Sequence, residues 1–357
     1  MAWKQLFVDQ PHGRPAFLWR LLLAVLISSV LLGAFTYSVS WLNRSVISPN
    51  GSMPALVEAE LSAVVAIGVV LSVLLVARWI DRRRPRDVGL RMGTLFSLDL
   101  GVGALLGAAT QLLPAAFLLA IGNASILDTW IKAKPAPGFV LQFLPCLVVA
   151  LGEAVALSIW LRGYLMKNFA EALHGIVRSS IASRLPGFTR SPSLVMLLAA
   201  LACGPVLEVW VRDLVGGIPD FGSGMLIGTR AFVLTLSVVL TRSLALSIGL
   251  EFGSFLASAN ILGARTGPFV GENTTVLSVY YDHLGALTLH PYVSWDEIVW
   301  IGGQVVTLLL LLVWIRRTHR GAWFDPSYLE VESVGQHHSP EWILEQFGEE
   351  DETTPQR

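Results

Sequence analysis

Long apolar runs alternate with short polar segments along the whole chain, and this alternation predicts a bundle of membrane-spanning helices. An α-helix rises 1.5 Å per residue, so about 20 apolar residues cross about 30 Å of hydrocarbon. Eight runs reach or approach this length, and the sixth is the shortest. They are Ala16–Trp41, Leu56–Ile80, Leu98–Ile121, Phe139–Met166, Leu194–Val211, Met225–Leu240, Ser243–Leu262 and Ile298–Ile315. The predicted fold class is all-α, a polytopic membrane bundle of about eight transmembrane helices.

The charges between these runs predict how the bundle is oriented. Basic residues are concentrated after the second, fourth and eighth runs, at Arg82, Arg83, Arg84, Arg86 and Arg91, at Lys167, Arg178, Arg184 and Arg190, and at Arg316, Arg317 and Arg320. With eight helices all of these fall on one side, and the excess of basic residues makes that side cytoplasmic. Both termini of an integral cell-membrane protein are then cytoplasmic, while Lys132 and Lys134 are exceptions on the outer side.

Polarity divides the chain into three predicted parts. Residues 1–83 hold an N-terminal segment, with no removable signal peptide, and the first two helices; 84–320 form a six-helix core; 321–357 are an acidic tail. The core includes an external loop, 263–296, in which the β-prone run Val276–Tyr281 predicts a lid or a small hairpin.

Composition excludes a soluble globular domain, because only 14% of the residues are charged and soluble chains carry about 25%. Cys146 and Cys203 both lie in apolar runs and are no disulfide framework. No glycine-rich phosphate loop or nucleic-acid-binding surface is indicated. Gly101, Gly103 and Gly107 in the third run predict close helix packing instead.

Three segments carry polar residues in a characteristic order. They are Asp87-Val88-Gly89-Leu90-Arg91 before the third run, Leu161-Arg162-Gly163-Tyr164-Leu165 at the end of the fourth, and Thr241-Arg242-Ser243-Leu244 through Glu251-Phe252 in the seventh. Over about residues 84–315 this order resembles the CAAX-protease-and-bacteriocin-processing (CPBP) family of intramembrane endopeptidases. That family shows Asp-x-Gly-Leu-Arg, then Glu-Glu-x-x-x-Arg-Gly-Tyr, then Phe-x-x-x-His, and finally Ser-Leu followed by His-x-x-x-Asn. The resemblance implies a CAAX-protease-like core and cleavage of prenylated or other peptides within the membrane.

The chain departs from that pattern where the resemblance places the chemistry. Leu157 and Ser158 stand in place of the paired glutamates, Gly204 in place of the first histidine, and Glu251 and Phe255 in place of the second histidine and the asparagine. None of the seven histidines lies in an apolar run. By resemblance, the family's glutamates and histidines activate a water and hold any metal, which requires a proton acceptor and several converging ligands. The departures predict a catalytically degenerate member.

Three carboxylates nevertheless lie near the expected site, each on a different predicted helix. Glu153 is one helical turn before Leu157, Glu208 is four residues after Gly204, and Glu251 is on the seventh run. A charge in hydrocarbon costs at least a few kcal/mol, so such residues usually face the bundle interior. Together with Arg162 they are the candidate catalytic residues of a relocated site. The alternative is a structural polar network.

Other expectations concern individual side chains. Arg162 could simply anchor its helix end by extending to the interface, and Arg230 and Arg242, which bracket the sixth run near its two ends, are expected at interfaces. Glu251 is expected to be protonated or to bond another helix, near Glu153, Ser158 or Arg162. Glu251→Gln should then change stability by no more than roughly 1–2 kcal/mol, the scale of one buried hydrogen bond.

Three functions follow from these patterns. The leading interpretation is a degenerate pseudoprotease that acts as a binding or scaffold module. The alternatives are an active, atypical endopeptidase that uses the relocated carboxylates, and a transporter with a carboxylate-lined cavity. No cofactor is expected, apart from a divalent metal if the protein is active. Expected partners are the lipid bilayer and a membrane protein or a prenylated or peptide substrate, but not nucleic acid. Carboxylates that are each paired with an arginine or a hydroxyl would favour the scaffold.

Overall fold

The computed structural model describes residues 8–9, 14–15, 19, 22–23, 26–27, 30, 55–81, 83–90, 92–131, 139–168, 201, 204–209, 221–263, 275–281, 286–287 and 290–319. Six long helical elements lie within these ranges. They are α1 (Ala55–Trp79), α2 (Thr94–Ala120), α3 (Phe139–Leu157, continued by a π-helix over Ser158–Leu165 and helical residues 166–168), α4 (Phe221–Thr241), α5 (Ala245–Phe255, continued by a π-helix over Leu256–Ile261) and α6 (Trp295–Thr318). A short 3-10 helix, Pro85–Val88, precedes α2.

Four of these helices are long and apolar enough to cross a membrane, which confirms a helical membrane protein. They contain Thr94–Ala120, Cys146–Asn168, Phe221–Thr241 and Asp296–Thr318, and two shorter apolar helices cover Ala66–Trp79 and Ala245–Ile261. The sixth predicted run is longer than expected, because its helix begins at Phe221. Parts of the first and fifth runs are helical where they are described, at positions 19, 22–23, 26–27, 30, 201 and 204–209. The rest of these two runs and the 321–357 tail lie outside the described residues. The predicted count of eight helices depends on those segments.

Three two-stranded antiparallel sheets accompany the helices. β1 (Val8–Asp9) pairs with β2 (Arg14–Pro15), β3 (Ala124–Ile131) with β4 (Thr275–Tyr281), and β5 (Ala286–Leu287) with β6 (His290–Ser294). The β-prone run is therefore a strand, as predicted. Its partner, however, is the segment after α2 rather than its own loop, because the two segments emerge from the same end of the bundle. The described residues of the predicted external loop also include the short strands β5 and β6, which pair with each other.

Glycines set a close helix contact between α2 and α5. A Cβ at Gly103 would lie 2.5 Å from the Leu246 carbonyl oxygen, and one at Gly107 would overlap the Leu250 carbonyl oxygen. In the reverse direction, Gly249 and Gly253 face the α2 backbone. Two pairs of glycines four residues apart thus let the backbones touch, as in membrane helix pairs. The prediction holds for Gly103 and Gly107 but not for Gly101, which has open space around it.

The turn that precedes α2 closes one end of the bundle. Gly89 adopts a left-handed conformation (φ 93°), and its carbonyl oxygen accepts a 2.9 Å hydrogen bond from the Leu244 amide before α5. The Lys167 ammonium donates to the Asp87 carbonyl oxygen. Gly163 lies against Val88, whose carbonyl oxygen would be 2.6 Å from an added Cβ. The three segments that carry the sequence resemblance therefore meet at this end.

Two further polar contacts join α2 to other helices. Asp99 is buried; it accepts one hydrogen bond from the Trp314 indole at 3.0 Å and pairs with the His319 ring at 3.1 Å. Gln111 donates to the Ser254 hydroxyl at 2.9 Å. Both contacts satisfy polar groups that would otherwise be costly in an apolar interior.

Candidate functional site

Arg162 is at the centre of a buried cluster of charges. It lies in the π-helical part of α3, and its side chain is almost fully enclosed. One terminal guanidinium nitrogen donates to Oε2 of Glu251, and the other donates to Oε2 of Glu208. Because a guanidinium presents donors in a planar fork, a single arginine can hold two carboxylates at once. Arg162 therefore does not extend to the interface as a simple anchor.

The second oxygen of Glu251 is bound by another arginine. Nη2 of Arg230 lies 3.3 Å from Glu251 Oε1, and the Arg230 guanidinium stacks on the Phe255 ring at 4.9 Å. Arg230 is nine residues after the start of α4, about 13 Å into the helix. The expectation that Arg230 marks an interface is therefore wrong. That expectation placed the start of the sixth run too late, at Met225, and so placed Arg230 too close to its end.

A hydroxyl pair extends the cluster toward α5. Nη1 of Arg162 donates to the Ser158 hydroxyl at 3.3 Å, and the Ser158 and Ser247 hydroxyls are 3.4 Å apart. Ser158 occupies one of the two positions where the family resemblance expects a glutamate. The side chain at that position thus supports Arg162 and carries no charge of its own.

Packing also excludes a large side chain at Gly204, the position where the resemblance expects a histidine. A Cβ at Gly204 would overlap the Thr235 hydroxyl and lie 2.9 Å from its methyl group. Thr235 is fully buried on α4, so it cannot move aside into solvent. The space beside this helix is already filled by α4.

Of the four candidate residues, the structure brings three together. Arg162, Glu208 and Glu251 form one cluster, and Glu251 is bonded to α3 as expected, at Arg162. Glu153 is half-buried and lies nine residues before Arg162 on the same helix. Arg230 was missed as a member. The signal that could have found it is that an arginine inside a long apolar run requires an anionic partner.

The residues present do not fit a divalent metal between the two carboxylates. The Arg162 guanidinium already occupies the place between Glu208 and Glu251, and a metal there would face its positive charge at close range. Within the described ranges, no group of three or more histidine, cysteine, aspartate or glutamate side chains is arranged to hold a metal ion.

The four residues of the cluster carry equal numbers of formal positive and negative charges. Arg162 and Arg230 contribute two positive charges, and Glu208 and Glu251 contribute two negative charges, so the sum is zero. Balance matters because an uncompensated charge in the interior is strongly destabilising. The four residues come from α3, α4, α5 and the helical segment 204–209, so the cluster ties four parts of the bundle to one point.

Comparisons of the chain with protein-family models, with curated proteins and with solved structures gave no match. The CPBP resemblance is therefore carried by the motif residues alone.

Proposed function

We propose that this protein is a membrane protein of CPBP-like architecture that does not hydrolyse peptides and acts as a binding or scaffold module. The observation that carries the proposal is the engagement of Glu208 and Glu251 by Arg162 and Arg230. A general base needs a free oxygen within hydrogen-bonding reach of a water. Here Glu251 accepts from an arginine at each of its oxygens, and Glu208 accepts from Arg162.

The residues at the other motif positions support the same proposal. Leu157, Ser158 and Phe255 have no ionisable group, and Gly204 has no room for a histidine beside Thr235. Peptide hydrolysis by the relocated carboxylates would require one of them to leave its arginine. That step would expose a buried, unbalanced charge at a cost of several kcal/mol.

Purified full-length protein incubated with a prenylated CAAX-type peptide tests the proposal. We expect no cleavage above that of Glu251→Gln and Glu208→Gln variants prepared in the same way. Cleavage by the natural chain that is lost in Glu251→Gln would overturn the scaffold proposal and favour a relocated carboxylate site. Cleavage that persists in both variants would point to a contaminating protease, and repeating the purification through a second affinity tag would remove it.

A further inference from the structure

Exposed arginines form a rim at the end of the bundle that the Arg84–Leu90 turn closes. The arginine rim consists of Arg78 at the end of α1, Arg86 in the 3-10 helix, and Arg316 and Arg317 in the last turn of α6; all four are exposed. α1 reaches this end because the turn that follows it packs on Gly163 and Leu244. α6 ends here too, because His319, just beyond α6, pairs with Asp99, which lies about one turn into α2.

The acidic residues described at this end are engaged by the protein itself. Asp81 is fully buried beside Arg83, at 4.0 Å. The Asp87 carboxylate accepts a 2.8 Å hydrogen bond from the Arg84 amide, and Asp99 is buried against Trp314 and His319. The exposed charge contributed by the described residues at this end is therefore positive.

Two large apolar side chains are exposed at the same end. Trp79 is 76% exposed next to Arg78, and Met92 is 78% exposed between the turn and α2. Tryptophan side chains at such positions lie at the headgroup level of a bilayer. A soluble phosphate ligand would give no reason to expose these apolar side chains beside the arginines, whereas a bilayer surface buries them.

The turn that carries Arg86 is held firmly in place. Pro85 starts the 3-10 helix, Asp87 caps it, and Gly89 bonds to Leu244. A guanidinium on a fixed backbone is preorganised to bind phosphate oxygens in a bidentate manner, which a lysine cannot do.

We propose that the arginine rim binds the phosphate groups of anionic phospholipids in the adjacent leaflet, and that Trp79 and Met92 insert beside those headgroups. Near a membrane surface each arginine strengthens the attraction by roughly fivefold in association constant. This proposal does not depend on whether the protein hydrolyses peptides.

Electron paramagnetic resonance with spin-labelled lipids tests the proposal on the full chain in phosphatidylcholine vesicles. The measured quantity is the association constant of labelled phosphatidylglycerol relative to that of labelled phosphatidylcholine. We expect a ratio several-fold above one for the natural chain. The ratio should fall several-fold in the Arg86→Gln/Arg316→Gln/Arg317→Gln variant, which keeps only Arg78 of the rim, and should fall to near one in about 1 M salt, where screening acts over about 3 Å.

The matched control is the Arg86→Lys/Arg316→Lys/Arg317→Lys variant, which keeps the charge and should retain a preference, though a smaller one. A ratio of one for the natural chain would overturn the proposal, and so would an unchanged ratio in the glutamine variant. Loss of the preference in excess inorganic phosphate at constant ionic strength would also overturn it, in favour of a soluble phosphate ligand. The salt and phosphate experiments use the natural chain, so they decide the question even if a variant fails to fold.

Discussion

The Arg162 guanidinium and the Glu251 carboxylate form a buried ion pair that joins α3 to α5. Both side chains are almost fully enclosed, and Glu251 is shared with Arg230 from α4. Removing two charges from a polar solvent is expensive, so such a pair contributes little net stability. Removing only one partner, however, leaves the other charge uncompensated. The cluster therefore acts mainly to specify how these helices meet.

Charge balance predicts unequal costs for neutralising two members of the cluster. Glu251→Gln should lower the free energy of unfolding by about 3–5 kcal/mol, because two arginines would then share one carboxylate. This revises the 1–2 kcal/mol expected from the sequence, which assumed a single hydrogen bond. Arg230→Gln also leaves one carboxylate in excess and removes the contact with Phe255, but it should cost less, about 1–3 kcal/mol, because the Arg230 side chain is 18% exposed and 3.3 Å from Glu251, so water partly screens this part of the cluster.

A double-mutant cycle on the same residues checks this explanation. Glu251→Gln/Arg230→Gln restores neutrality, since Arg162 then pairs with Glu208 alone. The double variant should be more stable than additivity predicts by at least about 1 kcal/mol, measured by denaturant or thermal unfolding in detergent. Strictly additive effects would show that charge balance does not govern the cluster.

The glycine contact between α2 and α5 predicts different tolerance to substitution at Gly107 and at Gly101, which are six residues apart on α2. Gly107→Ala should strongly destabilise the fold, by about 1–3 kcal/mol or more, because its Cβ would overlap the Leu250 backbone and backbone atoms cannot rotate away. Gly101→Ala should be neutral or slightly stabilising, because nothing lies within 4 Å of its Cβ and alanine favours helix. Thermal unfolding of the two variants compares them directly, and equal midpoints would contradict this packing.

Sequence patterns predicted the helices well and the polar contacts only in part. Apolar runs locate α1 to α6 because a helix in lipid must satisfy its backbone internally and expose apolar side chains all round. Because hydropathy is similar all round each helix, the sequence does not indicate which face of the helix packs against its neighbours. Glu251 and Arg162 could be paired in advance because the motif order placed their helices together. Arg230 could be recognised as needing an anionic partner, but it could not be assigned to Glu251, because that pairing depends on the starting residue of α4 and on the crossing of α4 with α5.

The contact between Gly204 and Thr235 predicts that a side chain at position 204 is limited by its neighbour. Gly204→Ala should lower stability by about 1–3 kcal/mol through overpacking, since its Cβ would overlap the Thr235 hydroxyl. Thr235→Ala removes that hydroxyl and the methyl group, so Gly204→Ala/Thr235→Ala should recover part of the loss. No recovery in the double variant, measured by thermal unfolding against both single variants, would show that Thr235 does not limit this position.

Tyr281, at the end of β4, predicts a titration that can be seen directly. Burial raises the pKa of Tyr281 to about 12 from an ordinary value of 10.0, and its ring packs edge-on against Trp300 at 6.1 Å. The folded state therefore holds the phenolic proton more tightly than the unfolded state does. The stabilising contribution of the neutral phenol is fully present below pH 10.0 and is lost as the pH rises through about 12.

The ultraviolet difference spectrum between the natural chain and Tyr281→Phe should show phenolate absorbance that develops with a midpoint near 12. Tyr280→Phe, in the neighbouring and exposed position, controls for the loss of one phenol from the same strand. A difference spectrum that is complete by pH 10.0 would show that the Tyr281 ring is not buried against Trp300.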